Sequence, residues 1–243
     1  MSESVKPYNQ SESKKNQVSA MFNRIAPYYD LLNAVLSLGI DTIWRRKAIQ
    51  QLNKNQPKII LDVATGTADL AIETAKQLNP EKIVGVDIST QMLDIGRTKL
   101  KKKSLDQLIT LEEGDSENLP FEDNTFDAIT VAFGVRNFEH LEKGLKEMHR
   151  VLKPNGQLVV LEFSRPSIFP IKQLFNLYFK YILPRIGNLT SKDSRAYSYL
   201  YESVQAFPDG KDFVNILSKT GYKSNQCKAL TLGICSIYSG FKH

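Results

Sequence analysis

The residues with the clearest chemical meaning lie in one strand-to-helix turn, Asp62-Val63-Ala64-Thr65-Gly66-Thr67-Ala68-Asp69. The turn holds a single glycine, lacks the G-x-G-x-x-G spacing of a dinucleotide site, and has no Lys or Arg between Leu61 and Ala75. A pyrophosphate seated there would meet Asp62 and Asp69 with no cation close in sequence. The charge suits the opposite kind of ligand. A sulfonium bearing an α-amino group is drawn to carboxylates, and its own carboxylate can take the backbone N–H groups around Gly66, Thr67 and Asp69 at the helix start. About 20 residues further on, where a doubly wound fold binds ribose, Asp87 ends the run Val84-Gly85-Val86-Asp87 and can accept from both hydroxyls. After the next run comes Gly114-Asp115-Ser116, in which Asp115, with Ser116 beside it, can accept from an adenine amine. One Asp at a strand end is ordinarily a turn or cap residue. Acidic groups at three successive strand ends together point to S-adenosylmethionine as cofactor and S-adenosylhomocysteine as its product.

These residues need a sheet that presents its strand ends along one edge, and the chain has the pattern for it. β-Rich runs at 58–63, 82–87, 108–113, 126–132 and 157–163 alternate with helical periodicity at 68–77, 91–102 and 141–152. This predicts an α/β fold with a doubly wound, Rossmann-like, mostly parallel sheet. Runs at 223–230 and 235–242 flank a glycine-containing turn and read as a C-terminal antiparallel hairpin. Residues 1–17 are polar, with neither a signal sequence nor an anchor, and are expected to be a disordered tail before one domain spanning 18–243. Two segments stand outside the alternation, a helical one at 18–52 and an insertion at 164–205 after the fifth strand. Both are expected to cap the strand ends, where ligands sit in open α/β sheets.

The bulk properties narrow the partners. A 243-residue chain that is 42% hydrophobic can bury one full core. No stretch reaches the roughly 18 uncharged apolar residues of a membrane span. The most apolar region, 168–186, is broken by Lys172, Lys180, Pro184 and Arg185, so a cytoplasmic protein is expected, soluble or peripheral to a membrane. Cys227 and Cys235 lack metal-site or redox spacing, and no metal is expected. The net charge of +6 comes with no basic stripe interleaved with aromatics, which argues against nucleic acid. The basic run at 99–103 is expected only to complement a helix C-terminus.

Longer blocks are more specific. The run Met21-Phe22-Asn23-Arg24-Ile25-Ala26-Pro27-Tyr28-Tyr29-Asp30-Leu31-Leu32-Asn33, the segment Phe133-Gly134-Val135-Arg136-Asn137, and Arg150-Val151-Leu152-Lys153-Pro154-Asn155-Gly156 leading to Leu161-Glu162-Phe163-Ser164 are its three parts. With them the chain resembles class I methyltransferases, and among these the ubiquinone/menaquinone biosynthesis C-methyltransferases. Ala64 and Ala68 stand where that family often has glycine, and Ala132 where relatives often have serine. The resemblance implies methyl transfer to a ring carbon of a demethylated isoprenoid quinol, demethylmenaquinol first, with a ubiquinone-pathway benzoquinol or a soluble small molecule as alternatives. Arg136 and Asn137 are the expected site residues, Arg136 stabilising a ring oxyanion because it stays protonated. Tyr29, Asp30 and Asn33 could form a lid, with Asp30 a base through water, or else pack and cap a helix. A greasy substrate needs a greasy path. Leu174, Phe175, Leu177, Tyr178, Tyr181 and Ile182 form an apolar helical face that could line it, dip into a bilayer, or be buried in a homodimer. Trp44 with Arg45, Arg46 and Lys47 could add a lipid headgroup contact or be a charged helix exterior.

Overall fold

The computed structural model describes residues 5–8, 11–37, 39–52, 55–182 and 194–243. Five parallel strands form the core of a seven-stranded sheet: β1 (Ile59–Val63), β2 (Lys82–Asp87), β3 (Ile109–Glu113), β4 (Phe126–Ala132) and β5 (Leu152–Phe163). The hairpin of β6 (Lys223–Leu230) and β7 (Cys235–Phe241) joins beyond β5 with β7 antiparallel to it, giving the order β3-β2-β1-β4-β5-β7-β6. The order reverses between β1 and β4, and that switch point opens a crevice at the carboxyl ends of the strands. β5 begins at Leu152 and not at Gln157, because Leu152 already pairs with Phe126 across a shift in register.

The strands are buried on both faces, which is why they read as continuous apolar runs. Leu61, Val63, Ile129, Val131, Leu158 and Val160 face helices α5 (Leu141–Val151) and α8 (Lys211–Lys219). Their alternates Ile60, Ala128, Val159 and Leu161 face α2 (Ile40–Ile49), α3 (Asp69–Gln77) and α4 (Thr90–Lys102). A third core lies above the strand ends. There α1 (Lys14–Ser37), through Val18, Met21 and Ile25, packs with Phe175 of α6 (Ile171–Leu177), with Phe179 in the π-helical turn Tyr178–Ile182, and with Tyr199 and Val204 of α7 (Ser194–Ala206). The two segments outside the strand-helix alternation therefore pack on each other. Within the 164–205 insertion, residues 183–193 lie outside the described residues, as does the Ile182 side chain.

The expectation of a disordered tail as far as Gln17 does not hold at its inner end. Helix α1 starts at Lys14, and both Lys14 and Gln17 are buried. The Lys14 ammonium donates to the carbonyls of Arg136 (3.2 Å) and Phe138 (3.0 Å), and its backbone N–H donates to Glu139. Gln17 accepts from the backbone of Tyr8. Polar composition implies disorder only where polar groups keep their water, and here protein acceptors replace it.

Gly85 in β2 shows how tightly the crevice is built. A Cβ on it would stand 2.6 Å from Leu111 Cδ2 and 2.9 Å from Thr65 Oγ1, and that hydroxyl is already bonded to Asp62. Gly85→Ala should cost about 1–3 kcal/mol of stability by overpacking. Urea denaturation checks this; an unchanged midpoint would mean that the Thr65 turn yields freely.

Candidate active site

A cleft of about 710 Å³, counted with its open mouth, lies over the switch point. Gly66, Asp87, Asp115 and Ser116 line it, as the sequence pattern predicts. Asp87 is held from two sides, by the backbone N–H groups of Gly66 (2.8 Å) and Ser89 (2.9 Å). Burial pushes its carboxyl up despite these bonds. Asp115 accepts from Lys15 Nζ at 2.8 Å and from the Glu117 backbone. Burial pushes it up, but these donors outweigh that and hold it below the usual carboxylate range. Ala132 also lines the cleft and offers no side-chain hydrogen bond.

Next to the cleft a smaller cavity is walled by Asp62, Thr67, Asp69, Arg45 and Tyr29. Here the structure corrects the picture of an acidic turn without cations. Arg45 of α2 pairs with Asp41 (2.6 Å) and approaches Asp69 (3.7 Å), while Lys99 of α4 pairs with both Asp69 and Asp30. Lys99 belongs to the expected helix-end run, yet it reaches the site; its neighbours Lys101, Lys102 and Lys103 stay exposed. The expected backbone grip on a ligand carboxylate is also altered, since the Gly66 N–H donates to Asp87. Arg45 supplies the nearby positive charge instead. The cavity thus offers carboxylates for an ammonium and a guanidinium for a carboxylate, a match for the amino-acid end of S-adenosylmethionine. Asp62 is fully buried, and desolvation raises it to about 6 against hydrogen bonds from Thr65 (2.6 Å) and Thr130 (2.7 Å).

Asp30 is not among the residues lining the cleft or the two cavities beside it. Its carboxylate accepts from Thr67 Oγ1 at 2.6 Å and pairs with Lys99, so it straps α1 to the turn. Trp44 is the second correction. It is buried, donates to Thr231 at 2.8 Å and lines the substrate-side cavity, and Arg45 beside it is buried too, so neither is a headgroup contact.

That cavity encloses about 1930 Å³ including its mouth, and its walls are mostly apolar side chains from α1, α2, α6 and α7. Tyr29, Phe22, Phe133 and Asn137 line both it and the cleft, so the two spaces meet at these residues. Burial pushes the Tyr29 phenol up, against a hydrogen bond with Asn33 and the positive charges of Arg136 and Arg45; it is neutral at ordinary pH. Asn137 Nδ2 reaches the Phe133 carbonyl at 3.3 Å, and its Oδ1 is buried without a partner among the described residues. Arg136 donates through Nη1 to Glu162 and to the Phe133 carbonyl, both at 2.6 Å, and lies over the Phe163 ring, while its Nε is buried with no partner among the described residues. Glu162 was not singled out as a site residue. Its signal is an acid inside the apolar strand Leu158-Val159-Val160-Leu161-Glu162-Phe163. His140, by contrast, is a surface residue paired with Glu117.

A doubly wound sheet with the carboxylates Asp87 and Asp115 at successive strand ends, and a pocket of mixed charge beside them, is the arrangement of an S-adenosylmethionine-dependent methyltransferase, the class to which this protein belongs. The fold agrees with a methyltransferase structure from Thermotoga maritima, at TM-score 0.65 and 18% identity, covering 93% of this chain and 99% of that one. A sequence profile of the ubiE/COQ5 methyltransferase family matches residues 10–242, and the chain belongs to that family. It is 51% identical over 240 residues to the demethylmenaquinone methyltransferase of Bacteroides fragilis, covering 99% of this chain and 98% of that protein. It is 46% identical over 230 residues to the ubiquinone/menaquinone biosynthesis C-methyltransferase of a Geobacter species, covering 94% and 97%.

The raised Asp62 gives a pH test. An ammonium ligand favours the ionised carboxylate, and a carboxyl raised to about 6 becomes protonated as pH falls through that value. Cofactor affinity should therefore be highest near neutrality and decline below pH 6, and Asp62→Asn should remove that step. Calorimetric titration from pH 8 to 5 reads this; a flat wild-type profile would contradict it.

Proposed function

We propose that this protein transfers a methyl group from S-adenosylmethionine to a ring carbon of a demethylated isoprenoid quinol, demethylmenaquinol being the preferred substrate. The observation that carries the reading is the large apolar cavity that joins the cofactor cleft at Tyr29, Phe133 and Asn137. A soluble polar substrate has no use for such a volume, whereas an isoprenoid chain gains about 0.8 kcal/mol for each methylene it buries. Affinity then comes from the tail, and the few polar groups orient the ring. The full-length similarity to a demethylmenaquinone methyltransferase supports the naphthoquinol over the benzoquinol.

The bound cofactor supplies an electrophilic methyl group; the ring must supply a nucleophilic carbon. Ionising the ring hydroxyl raises electron density at its ortho carbon. Asn137 at the junction, and Arg136 next to it in the chain with an Nε that has no partner among the described residues, are suited to hold that oxyanion. Glu162 fixes the guanidinium by accepting from its side chain and its backbone N–H. The new C–C bond forms as the S–CH3 bond breaks, and the ring carbon then loses its hydrogen as a proton to solvent water, which restores aromaticity. The apolar walls exclude water that would compete for the same hydrogen bonds.

The purified protein should move labelled methyl groups to a reduced demethylmenaquinone analogue faster than to a demethylated benzoquinol. Arg136→Lys keeps a cation against Glu162 but lacks the Nε donor, and should lower kcat by about 100- to 1000-fold, as for a lost oxyanion donor, with cofactor binding retained. Cofactor binding without transfer to either quinol would overturn the assignment.

The path for the tail also bears on location. Ile168, Phe169, Leu174, Leu177 and Tyr181 are exposed apolar residues before α6, on it and in the π-helical turn that follows, Phe169 at 78% exposure, with exposed Lys172 and Lys180 among them. Leu174 lines the cavity as well. This rim suits contact with an anionic bilayer surface from which the quinol enters. No helix among the described residues is long and apolar enough to cross a membrane. The protein should sediment with anionic phospholipid vesicles, and Phe169→Asp with Leu177→Asp should release it while leaving turnover of a short-chain quinol intact. Equal sedimentation of the variant would place the contact elsewhere.

A further inference from the structure

Beyond Arg136 and Asn137, the large cavity holds one more polar group with nothing to bond. Tyr199, on α7, is 1% exposed and lines the cavity, and its hydroxyl is buried without a partner among the described residues. Helix α7 packs against the turn Val135–Asn137, so Tyr199 and Arg136 line one and the same cavity. The helix is firmly anchored on its other side. Arg195 pairs with Glu202 and donates to the carbonyls of Lys6 and Pro7. A phenylalanine would fill the space of Tyr199 without a stranded hydroxyl, and a buried hydroxyl with no partner destabilises the empty protein. Such a group makes sense if a ligand completes its hydrogen bonding.

The arrangement also indicates which ligand atom. Asn137 and Tyr29 line both spaces, whereas Tyr199 lines only the larger one. In a ring with two oxygens para to each other, the oxygen next to the reacting carbon belongs at the junction. The other oxygen lies across the ring, on the side away from the cofactor. We propose that the Tyr199 O–H donates to that second oxygen and so selects rings with two para oxygens over rings with one. This rests on the quinol reading given above. Burial pushes the phenol far above its ordinary value, keeping it a neutral donor, and the oxygen it meets completes its bonding. A site built to hydrogen-bond a substrate oxygen discriminates against analogues that lack it, because its own polar group is then left unpaired.

The test compares the wild type with Tyr199→Phe on two tailed substrates, a 1,4-naphthoquinol and the matching 1-naphthol that lacks the second oxygen. Turnover is measured together with quenching of Trp44, the one tryptophan, which lines the cavity and reports its occupancy. The variant should raise KM and weaken quenching for the quinol about tenfold, the effect of one hydrogen bond, with kcat changed far less. The naphthol should be handled alike by both proteins, cofactor affinity should be equal, and the melting temperature of the variant should be no lower. An unchanged quinol KM, or equal losses on both substrates, would overturn the role of Tyr199 while leaving the quinol reading standing. A wild type that neither methylates the quinol nor shows quenching by it would overturn both.

Discussion

Glu162 is a carboxylate with no exposure at the end of a central strand, and a charge in that position must be matched. Arg136 matches it, with a side chain only 7% exposed. Removing one member of such a pair ordinarily costs about 3–5 kcal/mol because the other is left buried and uncompensated. Burial pushes the Glu162 carboxyl up, while the charge and hydrogen bonds of Arg136 oppose that shift. The pair fixes the short turn Val135–Asn137 at the strand ends. Once this turn is fixed, Asn137 stands between the cofactor cleft and the apolar cavity, and α7 can pack against it. The carbonyls of Arg136 and Phe138 receive the ammonium of Lys14, so the start of α1 is anchored from the same turn.

From that anchor α1 runs across the mouth of the sheet as a clasp. Lys15 reaches Asp115 beyond β3, Asn23 accepts from Ser89 at the start of α4, and Asp30 meets Thr67 and Lys99 beyond β1. Each contact joins α1 to a different strand end. Tyr29 is carried on this clasp and is the one predicted site residue that borders all three spaces. The chain needs two alanines in left-handed backbone to shape the turn below it, Ala64 at φ 53° and Ala68 at φ 67°. These are the positions where relatives often carry glycine, and an alanine there bears a strain of about 1–2 kcal/mol.

What could be read in the sequence was what is local. The strands, the hairpin, Gly66, Asp87 and the segment with Arg136 and Asn137 follow from short-range patterns that the fold preserves. The polarity of residues 14–17, the basic run containing Lys99 and the exposure imagined for Trp44 misled because their partners lie far along the chain. Lys14 meets Glu139, Lys99 meets Asp30, and Trp44 meets Thr231. The apolar cavity was invisible for the same reason. It arises only when segments from both ends of the chain pack together, and the apolar face on α6 divides between lining it, through Phe175 and Phe179, and facing outward, through Leu177 and Tyr181.

The central claim is that the two spaces meet where the methyl group crosses. A crystal structure with S-adenosylhomocysteine and a tailed naphthoquinol together tests it most directly. The sulfur and the unsubstituted ring carbon should face one another across the gap between Tyr29 and Asn137, with the tail running toward Leu174. A quinol ring bound outside the apolar cavity, or a sulfur turned away from it with Phe133 in between, would contradict it.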